Sequence, residues 1–399
     1  MANRLSNNII FQRLPIAITT FLLSAYLAKL MGAAEYGQIA FAIFFIKNLP
    51  SMNFGVSYGF LFFHYNSQEQ MRDSYLICFF LFSMLFLILG AVFVNPIVLL
   101  LGFFVAPFYI IDPILRTRGT FISSFIPEIL LLVSICLSYL IKPDDIKLLS
   151  MILTFCFSGA FFYLFKGKLK FLFNSFKIPK TIQLYENCKT MVKKGFQSYL
   201  QLALIFSFLF MDRYLASVYF SKKDLGNYML AFQFVQGALF ILTSLNIPNL
   251  TKIGEEIRND TMNKETLKRT LKQNVYLGIC SLIIVFVGLL IIKPYYFSSF
   301  DRLLEIYLVI SPGLFAMTVI GSVSPVLFYC EKQGLASFSL IFSIFFIVIN
   351  YLASAHTHLD YKSILIMNYG VLMVSSIFII RYAVFVLDKR INYNTSLTI

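Results

Sequence analysis

The sequence is poor in charged residues. Only 13% of its 399 residues carry charge, against roughly 25% in an ordinary soluble domain. Hydrophobic residues make up 59% of the chain. Apolar runs of about 20 residues, the length of a membrane-spanning helix, recur from end to end. A soluble core has no room for so many of these runs. The composition therefore excludes a soluble globular protein and predicts an all-α integral membrane protein.

Motifs for metal binding, nucleotide hydrolysis and covalent catalysis are also lacking. None of the six cysteines belongs to a CxxC pair, and we interpret them as small apolar side chains. His356 and His358 have no third ligand nearby, so no metal site is predicted. The chain contains no Walker motif and no catalytic triad. We therefore predict no catalytic residues and no cofactor.

Twelve membrane-spanning helices are predicted from the apolar runs. They cover residues 9–31, 36–63, 74–94, 96–115, 120–141, 146–165, 196–220, 225–247, 273–292, 303–328, 335–353 and 363–386. The second run is too long for one straight helix. Because it contains Asn48, Pro50, Asn53 and Gly55, we predict a bend or break there.

The basic residues predict the orientation in the membrane. With the N-terminus in the cytoplasm, most of the 33 Lys and Arg residues lie in cytoplasmic tails and loops. Both termini are therefore predicted to be cytoplasmic. The net charge of +14 is explained by this topology and by anionic membrane lipids. Nothing in the sequence indicates a nucleic-acid partner.

An internal repeat divides the chain into two halves. Tyr26-Leu27-Ala28 matches Tyr214-Leu215-Ala216, and Glu35-Tyr36-Gly37 matches Asp224-Leu225-Gly226. In each half, the first match falls at the end of the first span and the second match falls at the start of the next span. The halves are therefore predicted to be parallel repeats. We predict a six-helix lobe over 1–165, and a second over 196–399 that ends in a short cytoplasmic tail.

Residues 166–195 are predicted to join the two lobes. Apolar side chains recur at helical spacing in their later part, with lysines between them. The apolar set is Ile182, Tyr185, Cys188, Met191 and Val192. This pattern predicts an amphipathic helix on the cytoplasmic surface, and a plain tether is the alternative.

The sequence resembles a known transporter family. The segments YLAKLMGAAEYGQIAFA, MDRYLASVYF, KKDLGNYMLAF and NIPNLTKI are similar to the polysaccharide exporter branch of the multidrug/oligosaccharidyl-lipid/polysaccharide superfamily, and most of all to Wzx-type O-antigen flippases. The Phe-rich, Trp-free composition agrees. The resemblance implies two six-helix lobes around a central cavity in the bacterial inner membrane. It also implies transport of an undecaprenyl-pyrophosphate-linked oligosaccharide from the cytoplasmic to the periplasmic leaflet, in one pathway with a polymerase and a chain-length regulator.

Two adjacent charges interrupt the seventh span, in FLFMDRYLASVYF. A charge at membrane depth costs roughly 2.5–3.5 kcal/mol, and such residues usually face the protein interior or a water-filled cavity. Arg213 is suited to the pyrophosphate of the lipid carrier, because its planar fork binds two phosphate oxygens. The alternative is a structural ion pair. Asp212 is predicted to be a charge partner or an ion-coupling residue.

Two further cations are predicted to meet the anionic headgroup. Lys47 lies near the middle of the broken second span, and Arg13 lies near the cytoplasmic end of the first. Each has an alternative role as an interfacial anchor, and Lys47 also as a partner of an acid. Polar residues predicted to line the cavity are Asn48, Asn53 and Gln236.

Three acids complete the predicted site. Asp112 and Glu128 each stand next to a proline inside an apolar span, and Glu305 begins the tenth span. A buried carboxylate is suited to bind a coupling proton or Na⁺. Each of these acids is alternatively a tie between helices or an ion-pair partner of Arg213.

Two other functions fit parts of the sequence. A multidrug or ion antiporter of the same superfamily shares the fold but needs an acidic cavity, whereas at least half of the central charges here are basic. An O-antigen polymerase also has many spans and abundant Phe. Resemblance to a polymerase would, however, imply a large basic periplasmic loop, and every outer loop predicted here is short.

Overall fold

The protein is all-helical over the residues that the structure, a computed structural model, describes. These are residues 2–49, 52–64, 71–93, 96–117, 126–141, 146–164, 176–258, 262, 264–330, 332, 334–357 and 360–397. They form twelve helices: α1 (Ala2–Asn48), α2 (Val56–His64), α3 (Arg72–Phe93), α4 (Pro96–Thr117), α5 (Ile126–Ile141), α6 (Ile146–Leu164), α7 (Thr181–Tyr219), α8 (Lys222–Arg258), α9 (Lys264–Tyr296), α10 (Leu303–Tyr329), α11 (Gly334–Thr357) and α12 (Tyr361–Leu397).

The predicted all-α membrane fold is confirmed, because each of the twelve predicted spans falls on helix. Among the described residues, six stretches are long and apolar enough to cross a membrane, and three shorter apolar helices accompany them. The first predicted span and the start of the second share α1, which changes direction at Gly32 (φ 72°). Positive φ is accessible to glycine at little cost, so the bend falls there.

The predicted break in the second span is also confirmed. Helix α1 ends at Asn48 and α2 begins at Val56. Between them Phe54 and Gly55 have positive φ of 50° and 89°. The Asn53 side-chain oxygen accepts hydrogen bonds from the Ser57 amide and hydroxyl, both at 3.2 Å, and so caps the start of α2. Pro50 lies outside the described residues.

The chain forms two compact units. Unit 1 comprises residues 1–17, 28–38 and 201–399, and unit 2 comprises residues 18–27 and 39–200. In unit 1, α10 packs along both α8 and α12. In unit 2, α3 and α4 pack together, and the buried Tyr75 donates a 2.8 Å hydrogen bond to the Ile110 carbonyl. The lobe boundaries predicted at 165 and 196 stay a prediction, and residues 165–175 lie outside the described part.

The predicted amphipathic segment is the first third of α7, which continues without a break past residue 195 into the seventh span. Its face with Cys188, Met191 and Val192 packs on the core of unit 2. Ile182 and Tyr185, placed on the same apolar face by the sequence pattern, are instead 80% and 62% exposed. The apolar set is therefore divided between the protein core and the surface.

Backbone-to-backbone contact fixes this segment on unit 2. A Cβ atom on Gly55 would lie 2.6 Å from the carbonyl carbon of Gly195, and one on Gly195 would overlap the Gly55 carbonyl oxygen. One turn further along α2, a Cβ on Gly59 would overlap the backbone of Met191. Only glycine fits at this crossing.

A second close crossing involves positions that the sequence repeat aligns. Gly37 and Gly226, both in unit 1, lie against each other. A Cβ atom on Gly37 would be 2.6 Å from the Gly226 nitrogen. The matched glycines of the two halves therefore have a common packing requirement, because each must let the other backbone approach.

The crossing of α2 and α7 gives a test of stability. Gly195→Ala is expected to lower the midpoint of thermal unfolding in detergent, because the new methyl group overlaps the Gly55 backbone. Gly159→Ala is the matched control in the same unit, since nothing lies within 4 Å of a Cβ atom there. The control should be neutral or stabilising by about 0.5–1 kcal/mol, as for alanine replacing glycine inside a helix. Equal midpoints of thermal unfolding for the two variants would contradict close backbone contact between α2 and α7.

Candidate functional site

The adjacent charges Asp212 and Arg213 lie in the last third of α7, inside unit 1. Both side chains are completely buried. Neighbouring residues on a helix point about 100° apart, so each charge meets different parts of the bundle. Burial of a charge is tolerated only where protein groups replace the lost water. The contacts of each side chain therefore define the site.

The Asp212 carboxylate accepts hydrogen bonds from four side chains of three other helices. Oδ1 accepts from Asn368 Nδ2 at 2.9 Å and from the Tyr351 hydroxyl at 3.2 Å. Oδ2 accepts from the Tyr369 hydroxyl at 3.1 Å and from the Tyr228 hydroxyl in a shorter contact. A carboxylate offers about four lone-pair sites, so this set of donors satisfies it. We call these five side chains the Asp212 centre.

The Asp212 centre extends into a wider polar network. The hydroxyls of Tyr228 and Tyr369 also lie 2.7 Å apart. Because each hydroxyl has a single proton, one of them donates to the other only when it no longer donates to Asp212. Asn368 Oδ1 accepts from Asn350 Nδ2 at 2.9 Å. Since these residues belong to α8, α11 and α12, the network ties three helices to α7 around one charge. Such a network depends on every member, because each donor would otherwise be buried without its acceptor.

A neighbouring residue connects the centre to an end of the bundle. Asn227 precedes Tyr228 and donates to Asp301 Oδ1 at 3.3 Å, and its oxygen accepts from the Arg302 amide at 3.2 Å. Asp301 also pairs with Lys223 at 3.0 Å. At the start of α8, Asn227 therefore binds the loop between α9 and α10, and the adjacent Tyr228 binds the buried Asp212 carboxylate.

Arg213 is held by protein groups. Its Nη1 donates to the Leu209 carbonyl at 2.6 Å, and its Cζ lies 3.6 Å from the centre of the Phe232 ring. A guanidinium over an aromatic face gains about 2 kcal/mol when desolvated. A lipid phosphate would reach this side chain only after the bundle opens, so the headgroup contact predicted for Arg213 requires another conformation.

The other predicted headgroup and cavity residues belong to α1, to the break before α2 and to α8. Arg13 and Lys47 lie on α1 with side chains outside the described residues. Asn48 donates to the Phe44 carbonyl of its own helix at 2.7 Å, and Asn53 caps α2. Gln236 is exposed on α8. The two asparagines therefore stabilise the helix ends at the break, and the structure leaves their predicted contact with substrate untested.

The three predicted acids fall into two environments. Asp112 on α4 and Glu128 on α5 are 4% and 5% exposed, so both are buried acids of unit 2. Glu305, at the start of α10 in unit 1, is partly exposed and pairs with Lys362. Within the described residues, no three side chains of the metal-binding types lie together.

The residues that bind Asp212 were not predicted, although the sequence carries a signal for them. The sequence contains four Asn-Tyr dipeptides. Asn392-Tyr393 belongs to the C-terminal tail, and the other three lie in or beside apolar spans: Asn227-Tyr228, Asn350-Tyr351 and Asn368-Tyr369. In each of these three pairs the tyrosine donates to Asp212. Buried amides and hydroxyls need partners, so repeated polar pairs in apolar helices indicate a shared acceptor.

Comparisons with known proteins show the fold. No family model and no curated protein matches the chain. A point mutant of the Vibrio cholerae MATE transporter VcmN is similar with a TM-score of 0.61 at 14% identity, over 98% of both chains. The chain has the MATE fold. A MATE structure in a straight conformation matches with a TM-score of 0.56 at 13% identity, over 97% of this chain and 96% of that one.

A third similar structure is a transporter of the MOP superfamily from Pyrococcus furiosus. It has a TM-score of 0.52 at 13% identity, and the match covers 97% of this chain and 95% of that one. That protein is described as having a binding pocket of reversed polarity, which suggests a different function. Identities of 13–14% relate the folds and leave the transported substrate open.

Loss of the buried carboxylate should destabilise the bundle strongly. Asp212→Ala removes the shared acceptor of four buried donors. Tyr228 and Tyr369 can still bond to each other, and Tyr351 to the carbonyl of residue 212, so we expect a loss of about 1–3 kcal/mol, the cost of leaving a buried donor unsatisfied. Tyr351→Phe removes one donor and should cost about 1 kcal/mol. Thermal unfolding of the detergent-purified proteins measures both.

The control for these variants is Asp301→Asn. Asp301 is more than half exposed and pairs with Lys223 at the surface, where an ion pair contributes little. Its midpoint should stay close to that of the wild type. If Asp212→Ala unfolds no earlier than Asp301→Asn, the Asp212 centre does not hold the helices together.

Proposed function

We propose that this protein is a proton-coupled flippase that moves an undecaprenyl-pyrophosphate-linked oligosaccharide from the cytoplasmic to the periplasmic leaflet of the bacterial inner membrane. The observation that carries the transport function is the MATE fold over nearly the full chain. The Asp212 centre carries the coupling. The substrate is supported by the sequence resemblance and by the basic composition, which favours an anionic lipid-linked headgroup.

Asp212 has the chemistry that a coupling residue needs. Its charge lies in a dry bundle, where the free-energy difference between charged and neutral forms depends strongly on the surrounding donors. In the described state the four donors stabilise the charged form. Protonation removes the charge and occupies an acceptor position, so at least one donor loses its partner. The two protonation states of Asp212 therefore favour different arrangements of α7, α8, α11 and α12.

The hydroxyl pair of Tyr228 and Tyr369 supports the proton as the coupling ion. Hydroxyls both donate and accept, so they adjust when the carboxylate gains a proton. The nearest amide group presents its donor nitrogen to Asp212, whereas a sodium ion would require its oxygen. The buried acids Asp112 and Glu128 of unit 2 are further candidate coupling residues in this proposal.

The headgroup is proposed to be bound by cations of α1. Arg13 and Lys47 remain the proposed contacts for the pyrophosphate, with the polyprenyl tail in lipid. Asn227 provides a physical link between the coupling residue and the bundle end, because it is adjacent to Tyr228 and bonds to the loop before α10. A change at Asp212 is thereby transmitted to that loop.

A deletion strain gives the direct test of the substrate. Without the gene, lipid-linked repeat units should accumulate in the cytoplasmic leaflet and the surface glycan should be lost. The wild-type gene should restore the glycan. Asp212→Asn, which keeps the shape but not the ionisable group, should reduce restoration at least tenfold, whereas Glu265→Gln, at an exposed acid in the first turn of α9, should restore it. Immunoblots of protein level separate lost transport from lost folding.

Other outcomes of the same experiment distinguish the alternatives. A single repeat unit at the surface without polymer would show that export is intact and would favour the polymerase. An unchanged surface glycan together with greater sensitivity to cationic drugs would favour the multidrug antiporter, which shares the MATE fold. Full restoration by Asp212→Asn would remove Asp212 from the coupling mechanism.

A further inference from the structure

A deep groove runs between α11 and α12 on the outside of unit 1. Its volume is 610 Å³, and aromatic and aliphatic side chains from the two helices form its walls. Those that define its course are Leu335, Phe338, Phe342 and Phe346 on α11, with Val374 and Phe378 on α12. A groove of this size on a membrane-spanning surface must be filled, and hydrocarbon is the solvent that surrounds it.

The length of the groove along α11 matches one leaflet of a bilayer. Both walls belong to stretches able to span a membrane, 334–354 and 361–389. Leu335 and Phe346 are separated by roughly 17 Å at 1.5 Å per residue, about half of a hydrocarbon core of ~30 Å. An acyl chain that enters at the headgroup level would therefore extend along the groove to the middle of the membrane.

The interior of the groove is mainly apolar. The Ser375 hydroxyl, in its wall, is hydrogen-bonded to the Ser343 hydroxyl at 2.6 Å. Gly370 forms part of the groove, and nothing lies within 4 Å of a Cβ atom built on it. Its missing side chain therefore leaves open space into which a larger side chain could extend without a clash.

Two exposed cations stand at one end of the groove. Arg381 follows Val374 by seven residues, so it lies on the same face of α12, one turn beyond Phe378. Lys332 precedes Leu335 by three residues, and both cations are exposed. The predicted topology places this end at the cytoplasmic surface, where anionic lipid headgroups attract Lys and Arg.

We propose that this groove is a binding site for an anionic diacyl phospholipid of the cytoplasmic leaflet. One acyl chain fills the apolar channel, and Arg381 and Lys332 bind the phosphate. Arginine suits this position because its planar fork binds two phosphate oxygens. The site lies within unit 1 and is independent of the substrate that the protein transports.

Native mass spectrometry of the delipidated protein with equal amounts of phosphatidylglycerol and phosphatidylcholine tests the site. The wild type should retain phosphatidylglycerol preferentially. Gly370→Leu should reduce the retained fraction severalfold, because the new side chain occupies the groove. Gly288→Leu is the matched control, since it too has open space around its Cβ position but lies on α9. It should bind lipid as the wild type does.

The headgroup contact is tested separately. Arg381→Gln and Lys332→Gln should each lower the preference for phosphatidylglycerol by about fivefold, as expected for loss of one cation near an anionic surface. Equal lipid retention by Gly370→Leu and the wild type would contradict the proposal that an acyl chain occupies the groove. An unchanged preference for phosphatidylglycerol in both charge variants would contradict the proposed phosphate contact. Displacement of phosphatidylglycerol by equimolar undecaprenyl phosphate would overturn the assignment to a membrane phospholipid.

Discussion

The buried charge of Asp212 is the interaction on which the arrangement of the C-terminal helices depends. A carboxylate without water is costly unless protein donors surround it. Here three tyrosines and one asparagine supply those donors from α8, α11 and α12. Because the donors come from separate helices, the charge fixes the positions of these helices relative to α7. A protein that must move its helices gains a switch if that charge can be removed and restored.

Close backbone contact provides the complementary constraint. The polar network around Asp212 depends on charge and hydrogen bonding, whereas the glycine crossings depend only on geometry. Gly37 with Gly226, and Gly55 with Gly195, bring helix backbones together without side chains between them. In an apolar solvent such packing of small residues is a main source of helix association. The glycine crossings and the Asp212 centre therefore hold helices together by two different physical means.

The sequence predicted the helices better than it predicted their contacts. Apolar runs of spanning length identify helices because backbone groups in lipid must bond within their own helix. The break near Asn53 was predictable because Pro50 and Gly55 weaken a helix there. The repeat identified Gly37 and Gly226 as equivalent positions, but not that they touch. Contacts between distant helices depend on rotation and depth, which one sequence leaves open.

At the Asp212 site, too, the sequence indicated the important residues but not their partners. The cost of an intramembrane charge made Asp212 and Arg213 conspicuous, yet their partners were sought among other charges. The structure gives Asp212 neutral donors and gives Arg213 a carbonyl and an aromatic ring. Glu305, considered as a partner, pairs with Lys362 at the start of α12. Charge balance alone therefore misleads inside a membrane, where hydroxyls and amides satisfy a carboxylate equally well. The three Asn-Tyr pairs were the missed signal.

The most direct test of this account asks whether the Asp212 carboxylate holds α7, α8, α11 and α12 together. The chain has no tryptophan, so Phe220→Trp would place a single fluorescent reporter at a position whose ring contacts Tyr228 and Tyr351. Its emission should shift to longer wavelength when Asp212→Ala is added, because the surrounding helices separate, and should not shift when Asp301→Asn is added. An emission spectrum that Asp212→Ala leaves unchanged, or an equal shift with Asp301→Asn, would contradict the central role of Asp212.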